Sequence, residues 1–242
     1  RIPGPGLGLA HASQTTSDSW DWMTCRAASL DPGQFGVPDS HILASADQVI
    51  LIWPKSKPLG LALLNMIIAS GRRCYTVAAN DTGGKSIGKN CKDFATATRL
   101  DSARHCTLWQ LQALPQSTVT EFNWIKQARA FQHGDVSLMT LPGVFNHGNL
   151  DTGTALLLSQ LPSMKGEILD IGCGSGVIGI DRKLANPDVT LTMADTDAFA
   201  LRSTALNCAR LGLNASILPS DGLADIKGRF DHIISNPPFH TG

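Results

Sequence analysis

The chain has 242 residues, 43% of them hydrophobic, and a formal net charge of zero, enough chain for about two domains with proper cores. That balance excludes a disordered chain and a uniformly basic nucleic-acid binder. The longest apolar run, residues 59–69, is too short for a bilayer and contains Asn65. No secretory pattern opens the chain, and its six cysteines include no C-x-x-C pair, so a reducing cytoplasm without zinc or disulfides is expected. The zero hides a division: residues 1–130 carry 13 Lys and Arg against 9 Asp and Glu, a net of +4, and residues 131–242 carry 7 against 11, a net of −4. Lys55, Lys57, Arg72, Arg73, Lys85, Lys89 and Lys92 are therefore candidates for phosphate contact, with scattered solvated charge as the alternative.

Residues 1–45 are rich in Gly, Pro, Ser and Asp, with Trp20 and Trp22 as expected anchors. From Gln48 the pattern alternates: strand 49–53, helix 59–70, strand 75–79, a glycine loop, helix to about residue 98, and strand 106–111. Within that loop Ala79-x-x-x-x-Gly84-Lys85-Ser86 nearly fits a triphosphate-wrapping P-loop, but no later strand in this half ends in an obvious magnesium-binding acid, and a simple turn is the default. The segment 117–133 is weakly periodic and carries Phe122 and Trp124. The expected division is a first domain over 1–119, a linker over 120–134 and a second domain over 135–242.

In the second half, Leu150-Asp-Thr-Gly153 precedes a helix over 155–161 that Asp151 is placed to cap. Strand 167–171 then ends in Asp170-Ile-Gly172-Cys-Gly174-Ser-Gly176 and helix 177–185, which Asn186-Pro187 stops. Glycines 172, 174 and 176 leave room for a ligand against backbone at a helix N-terminus; Cys173 is read as a small filler. Gly174-x-Gly176-x-x-Gly179 also fits a dinucleotide cradle. Strand 189–194 ends at Asp195, 19 residues beyond Gly176, where an acid accepts from ribose hydroxyls of either NAD or S-adenosylmethionine. Asp170 before the turn favours the latter. Helix 198–211 is expected to bury Leu201, Ala205 and Cys208. Strand 216–219 leads to Asp221, an acceptor for an adenine amine or part of a plain turn.

The strand 230–235 runs directly into Asn236-Pro237-Pro238-Phe239, at the strand end where open α/β sheets bind ligands. The nitrogen of an exocyclic base amine is a poor nucleophile, because its lone pair is delocalised into the ring. The Asn236 side-chain carbonyl and the Pro237 backbone carbonyl would accept its two hydrogens and turn that lone pair towards a sulfonium methyl. Phe239 would stack on the unpaired base. An ordinary turn after a strand is the competing reading. His232 is read as a strand residue and His240 at most as an RNA contact, since a methylated amine sheds its proton without a general base.

These segments resemble the bacterial ribosomal RNA guanine-N2 methyltransferases, most closely the small-subunit enzymes with two tandem methyltransferase-like domains. The resemblance lies in Leu141-Pro-Gly-Val-Phe145, Leu150-Asp-Thr-Gly153, the Asp170 glycine loop, Asp195, Lys227-Gly-Arg-Phe-Asp231 and Ile233 to His240, with Trp53-Pro-Lys-Ser-Lys-Pro58 and Asp101-Ser-Ala-Arg104 earlier. It implies an α/β fold of tandem Rossmann-like methyltransferase domains. The first domain is then a degenerate copy, with Asn80-Asp-Thr-Gly-Gly84 in place of a cofactor loop, and Phe145 and Asp151 are lid candidates. It further implies S-adenosyl-L-methionine as cofactor, held by Asp170, Gly172, Gly174, Gly176, Asp195 and Asp221, with Asn236, Pro237 and Phe239 as catalytic residues. The implied partner is ribosomal RNA or the small ribosomal subunit, bound by a monomer without metal or membrane. A large-subunit guanine, an adenine N6, or a non-catalytic assembly role remain as alternatives. Because such sheets have about seven strands and Asn-Pro-Pro-Phe closes the fourth, the second domain is expected to be incomplete and the chain truncated at both ends.

Overall fold

The computed structural model describes residues 7–11, 17–19, 36–38, 43, 46–114 and 122–237. Trp20, Trp22, Phe239 and His240 lie outside them. The chain forms two compact units, 1–127 and 128–242.

The first unit is built on a six-stranded sheet in the order β2-β1-β3-β4-β6-β5, from β1 (Leu7–His11), β2 (Ser17–Ser19), β3 (Gln48–Ile52), β4 (Arg73–Ala79), β5 (Ala95–Ala103) and β6 (Cys106–Ala113). β3 and β4 are parallel and joined by helix α1 (Lys57–Ala69). α1 starts two residues before its first apolar residue because Ser56 caps it, accepting from Leu59 N–H, and Pro58 stands in the first turn where no donor is needed. Gly60 lies against the Trp53 ring, where a Cβ would collide with the indole. Leu51, Leu63, Leu64, Met66, Ile67 and Cys74 are fully buried between sheet and helix.

The helix expected to run to residue 98 is instead the short α2 (Ile87–Asn90), followed by β5. β5 pairs antiparallel with β6 from Ala95↔Ala113 to Ala103↔Cys106, with a bulge between Arg99 and Asp101. Alternating Thr96 and Thr98 suit a pleated strand better than a helix. The two-residue connection Arg104-His105 takes positive φ at both positions, 48° and 60°, as a tight hairpin turn requires. The loop resembling a P-loop closes on itself: Ser86 N–H and Oγ–H both donate to Gly83 O, Thr82 Oγ–H to Ala79 O, and Trp109 Nε1–H to Gly84 O. Any side chain at Gly84 would strike the Ala78 and Ala79 carbonyls, so this glycine serves packing. Lys55, Lys57, Arg73, Lys85, Lys89 and Lys92 are exposed and Arg72 is half-buried.

Within the stretch expected to be a linker, a 3-10 turn over Trp124–Gln127 is followed by strand β7 (Arg129–His133), which pairs with β8 (Val136–Thr140) across Gly134-Asp135. The second unit also holds a four-stranded parallel sheet in the order β11-β10-β9-β12, from β9 (Glu167–Ile171), β10 (Thr190–Asp195), β11 (Ser216–Pro219) and β12 (His232–Ser235). Helices α3 (Thr152–Gln160), α4 (Val177–Ala185) and α5 (Ala198–Leu211) connect and cover it. Ile168, Leu169 and Asp170 are consecutive and fully buried, as in a parallel strand covered on both faces. Gly179 in α4 lies where a Cβ would meet Met193 Sδ at 2.8 Å, so helix and β10 pack backbone-close. Asp231 ties β12 to the start of β9: its N–H donates to Glu167 O, and its carboxylate accepts from Glu167 N–H at 2.8 Å.

Candidate active site

Because the four strands are parallel, their C-terminal ends lie along one edge. Along it stand Asp221 beyond β11, Asp195 closing β10, the glycine turn after β9, and Asn236 directly after β12. The pairs Asp195↔Pro219, Met193↔Asp170 and Ser235↔Ile171 bring these residues together across 66 positions of sequence, from 170 to 236. Ser235 Oγ–H donates to Ile171 O at 2.9 Å and fixes the end of β12 beside the turn.

Gly172, Gly174 and Gly176 take φ of 67°, 59° and 81°, a conformation that favours glycine at each. They differ in what surrounds them. A Cβ on Gly172 or Gly174 would enter open space, whereas one on Gly176 would lie 2.9 Å from Thr204 Cγ2. The first two leave a cradle; Gly176 is the left-handed N-cap of α4, packed against α5. Asp195 holds the cradle from the side, its Oδ2 accepting from Gly174 N–H at 2.9 Å and its Oδ1 from Asp197 N–H at 3.0 Å. The carboxylate retains acceptor capacity for a further donor. Burial raises its carboxyl above the ordinary range, against the pull of the backbone N–H groups of Gly174, Asp197 and Thr196.

Asp170 is fully buried, and its Oδ2 accepts from Gly179 N–H at 2.9 Å. Its Oδ1 has no partner, an orphaned acceptor below the cradle that suits a ligand donor. Burial pushes its carboxyl up from 3.8 to about 7; the Gly179 N–H opposes this and the Asp195 charge adds to it. The folded state thus keeps the proton where the unfolded chain has released it, so stability falls as pH rises between those two values and levels off above them. Asp170→Asn keeps an acceptor for Gly179 and removes the titrating group. It is expected to flatten this slope in urea denaturation of the cofactor-free protein across a pH series; equal slopes in both proteins contradict the assignment.

Asn236 is half-buried, its Nδ2 donating to Thr154 Oγ1 at 2.7 Å and to Asp151 Oδ2 at 3.2 Å. Pro237 is exposed. Asp151 caps α3 as expected, accepting from Thr154 N–H at 2.8 Å. Phe145 is 62% exposed in the preceding loop. Asp221 sits in a turn closed by Ser220 Oγ–H to Gly222 O and by its own N–H to Asp225 Oδ2 at 3.2 Å. His232 is a half-buried strand residue. Burial drives the Cys173 thiol well above its ordinary range, which leaves it protonated and unreactive.

Helix α5 contributes residues that apolar spacing does not reveal. Leu201 and Cys208 are buried as expected, but Ala205 is only half-buried, and Ser203, Thr204 and Asn207 occupy the interior. Thr204 Oγ–H donates to Gly174 O, and Asn207 Nδ2 to both Ser175 O and Met139 O. Ser203 Oγ accepts from Leu141 N–H, and Asn207 Oδ1 from Met139 N–H. One polar helix face therefore holds the glycine turn and the end of β8 together. Its signal is three small polar residues within one helical turn, which solvent exposure would explain equally well.

Among the described residues, no group of three His, Cys, Asp or Glu side chains is arranged to hold a metal ion, and no helix is long and apolar enough to cross a membrane. The open faces at Gly172 and Gly174, the remaining acceptor capacity of Asp195 and the orphaned Asp170 Oδ1 fit an adenosine-bearing cofactor.

Two family models match the chain: the methyltransferase small domain over residues 135–242 and the methyltransferase small domain N-terminal over residues 7–128. A ribosomal RNA small subunit methyltransferase C of Pseudomonas entomophila is 40% identical over 232 residues, 92% of this chain and 70% of that protein. Its counterpart in Serratia proteamaculans is 38% identical over 226 residues, 91% of this chain and 64% of that protein. A T. thermophilus 16S rRNA N2 methyltransferase, solved with AdoMet and guanosine, shares the fold at a TM-score of 0.67 and 21% identity, over 91% of this chain and 62% of that one.

Proposed function

The chain belongs to the ribosomal RNA small subunit methyltransferase C family, and from that premise we propose that it methylates the exocyclic N2 amine of a guanine in small-subunit ribosomal RNA, with S-adenosylmethionine as donor. The observation that carries this reading is the register of β12 on β9, which sets Asn236 beside the open face of the glycine turn. A cofactor held by the cradle and a base held at Asn236 then meet at one sheet edge.

S-adenosylmethionine, when bound, supplies a methyl group made electrophilic by a positively charged sulfur. In this reading Gly172 and Gly174 admit it against backbone, Asp195 accepts from its ribose hydroxyls and Asp221 from its adenine amine. Asn236 Oδ1 and the Pro237 carbonyl accept the two hydrogens of the guanine amine, which frees the nitrogen lone pair from the ring and aims it. Phe239, two residues further on, stacks on the flipped base. The methylated amine is a cation that releases its proton to water, so positioning provides the catalysis. The exposed lysines of the first unit hold the RNA backbone, and the protein acts as a cytoplasmic monomer.

The test is a survey of acceptors. The protein is incubated with methyl-labelled S-adenosylmethionine and, separately, small subunits, large subunits, free ribosomal RNA and DNA. Label confined to small-subunit RNA is the expected result. Label in large-subunit RNA or in DNA overturns the substrate, and binding of cofactor and RNA without label in any acceptor favours an assembly role.

A further inference from the structure

The geometry points to Asp151 and Thr154 as positioning residues that hold the Asn236 carboxamide with its carbonyl towards the acceptor amine, an inference that rests on the function proposed above. A carboxamide has two faces of nearly equal shape, and only its oxygen accepts hydrogens from an amine. Turned over, Asn236 would present N–H to N–H and repel the substrate it has to orient.

The surroundings of Asn236 decide between the two faces. A carboxylate only accepts, so Asp151 Oδ2, 3.2 Å away, selects the nitrogen. The Thr154 hydroxyl can donate or accept, but its hydrogen goes to the same Asp151 oxygen at 3.3 Å, which leaves its lone pairs for Asn236 Nδ2 at 2.7 Å. One carboxylate thereby fixes a hydroxyl, and both accept from the amide nitrogen. Asp151 is itself immobilised, as the N-cap of α3 and by Asn146 Nδ2–H donating to Oδ1 at 2.9 Å. Thr154 is 6% exposed. A Cβ on the intervening Gly153 would sit 3.0 Å from Asp151 Oδ2 and 3.7 Å from Asn236 Oδ1, crowding the pair. The Asp-Thr-Gly-Thr segment therefore starts a helix and orients a residue that lies 82 to 85 positions later in the chain.

Three variants separate orientation from capping. Asp151→Ser preserves an N-cap but is too short to reach Asn236. Thr154→Val removes the hydroxyl and keeps the shape. Asp151→Asn restores an oxygen where Oδ2 lies. The first readout needs neither cofactor nor acceptor: hydrogen exchange of the Asn236 side-chain amide in protein labelled with 15N-asparagine, assigned by its loss in Asn236→Ala. Exchange is expected to quicken about tenfold or more in Asp151→Ser and Thr154→Val, with kcat falling about 10- to 100-fold and cofactor Kd unchanged. Asp151→Asn is expected to recover most of kcat. Unchanged exchange and kcat in the Ser and Val variants overturn the inference, as does a loss of kcat matched by a loss of cofactor affinity. Quickened exchange in a protein that labels a different nucleoside overturns the proposed substrate and leaves the positioning intact.

Discussion

Asn236→Ala is expected to lower kcat by about 10³-fold while leaving the affinity for S-adenosylmethionine within about twofold of native. The reason is where the side chain acts. Before reaction the guanine amine is planar and its lone pair belongs to the ring; in the proposed function the hydrogen bond that Asn236 Oδ1 accepts would gain strength as that nitrogen acquires positive charge. The interaction is therefore stronger in the transition state than in the bound substrate, and its loss appears in kcat. In the proposed function the cofactor is held by the turn after β9, the strand next to β12, and by Asp195 on β10, one strand further on, and neither contacts the Asn236 side chain through a hydrogen bond. Single-turnover methylation alongside calorimetric cofactor titration separates the two quantities. A raised KM at native kcat would reduce Asn236 to a base-binding residue.

Asp195→Ala is expected to weaken cofactor binding about 100-fold, close to 2.7 kcal/mol. Two losses combine. A carboxylate hydrogen-bonded to ribose hydroxyls contributes about 1.5–3 kcal/mol through charge-assisted bonds. The same carboxylate accepts from Gly174 N–H and Asp197 N–H, so its removal also frees the turn that forms the cradle. Asp195→Asn keeps one accepting oxygen and is expected to lie between, with a loss of about tenfold. Cofactor titration by calorimetry measures both; native affinity in Asp195→Ala would place the ribose elsewhere. Turnover at saturating cofactor is expected to recover in these variants and not in Asn236→Ala.

What could be read from the sequence is what local chemistry determines. α4 and α5 begin and end where the residues indicate, because each terminus carries its own local signal: Gly176 at φ 81° before Val177, Asn186-Pro187 after Ala185, Asp197 accepting from Phe199 N–H, and Gly212 at φ 66° after Leu211. The gathering of Asp195, the Asp170 glycine turn and Asn236 on one sheet edge, in that order, follows from parallel strands of similar length and a strand-ending motif. The β5–β6 hairpin was hidden because its tight turn uses Arg104 and His105 at positive φ, where Asn-Gly would have announced it. The β7–β8 hairpin is short, and its turn residues Gly134-Asp135 also suit a linker. Least legible was the polar support. Ser203, Thr204 and Asn207 are buried on a helix whose apolar spacing pointed elsewhere, and their partners lie 30 to 68 positions away. The contact of Asp151 with Asn236 was equally out of reach, because helix capping already accounted for the acid.

The most direct test of the central claim is the identity of the methylated atom. Small-subunit RNA labelled by the protein is digested to nucleosides and the labelled one is identified by mass spectrometry against synthetic standards. The account predicts N2-methylguanosine alone: two acceptors at Asn236-Pro237 require an exocyclic amine with two hydrogens, which adenine N6 and cytosine N4 also carry, and the proposed function assigns that amine to guanine, so N6-methyladenosine or N4-methylcytidine would overturn the substrate. A methyl group on a ring nitrogen or a ribose oxygen, neither of which carries such an amine, would contradict it.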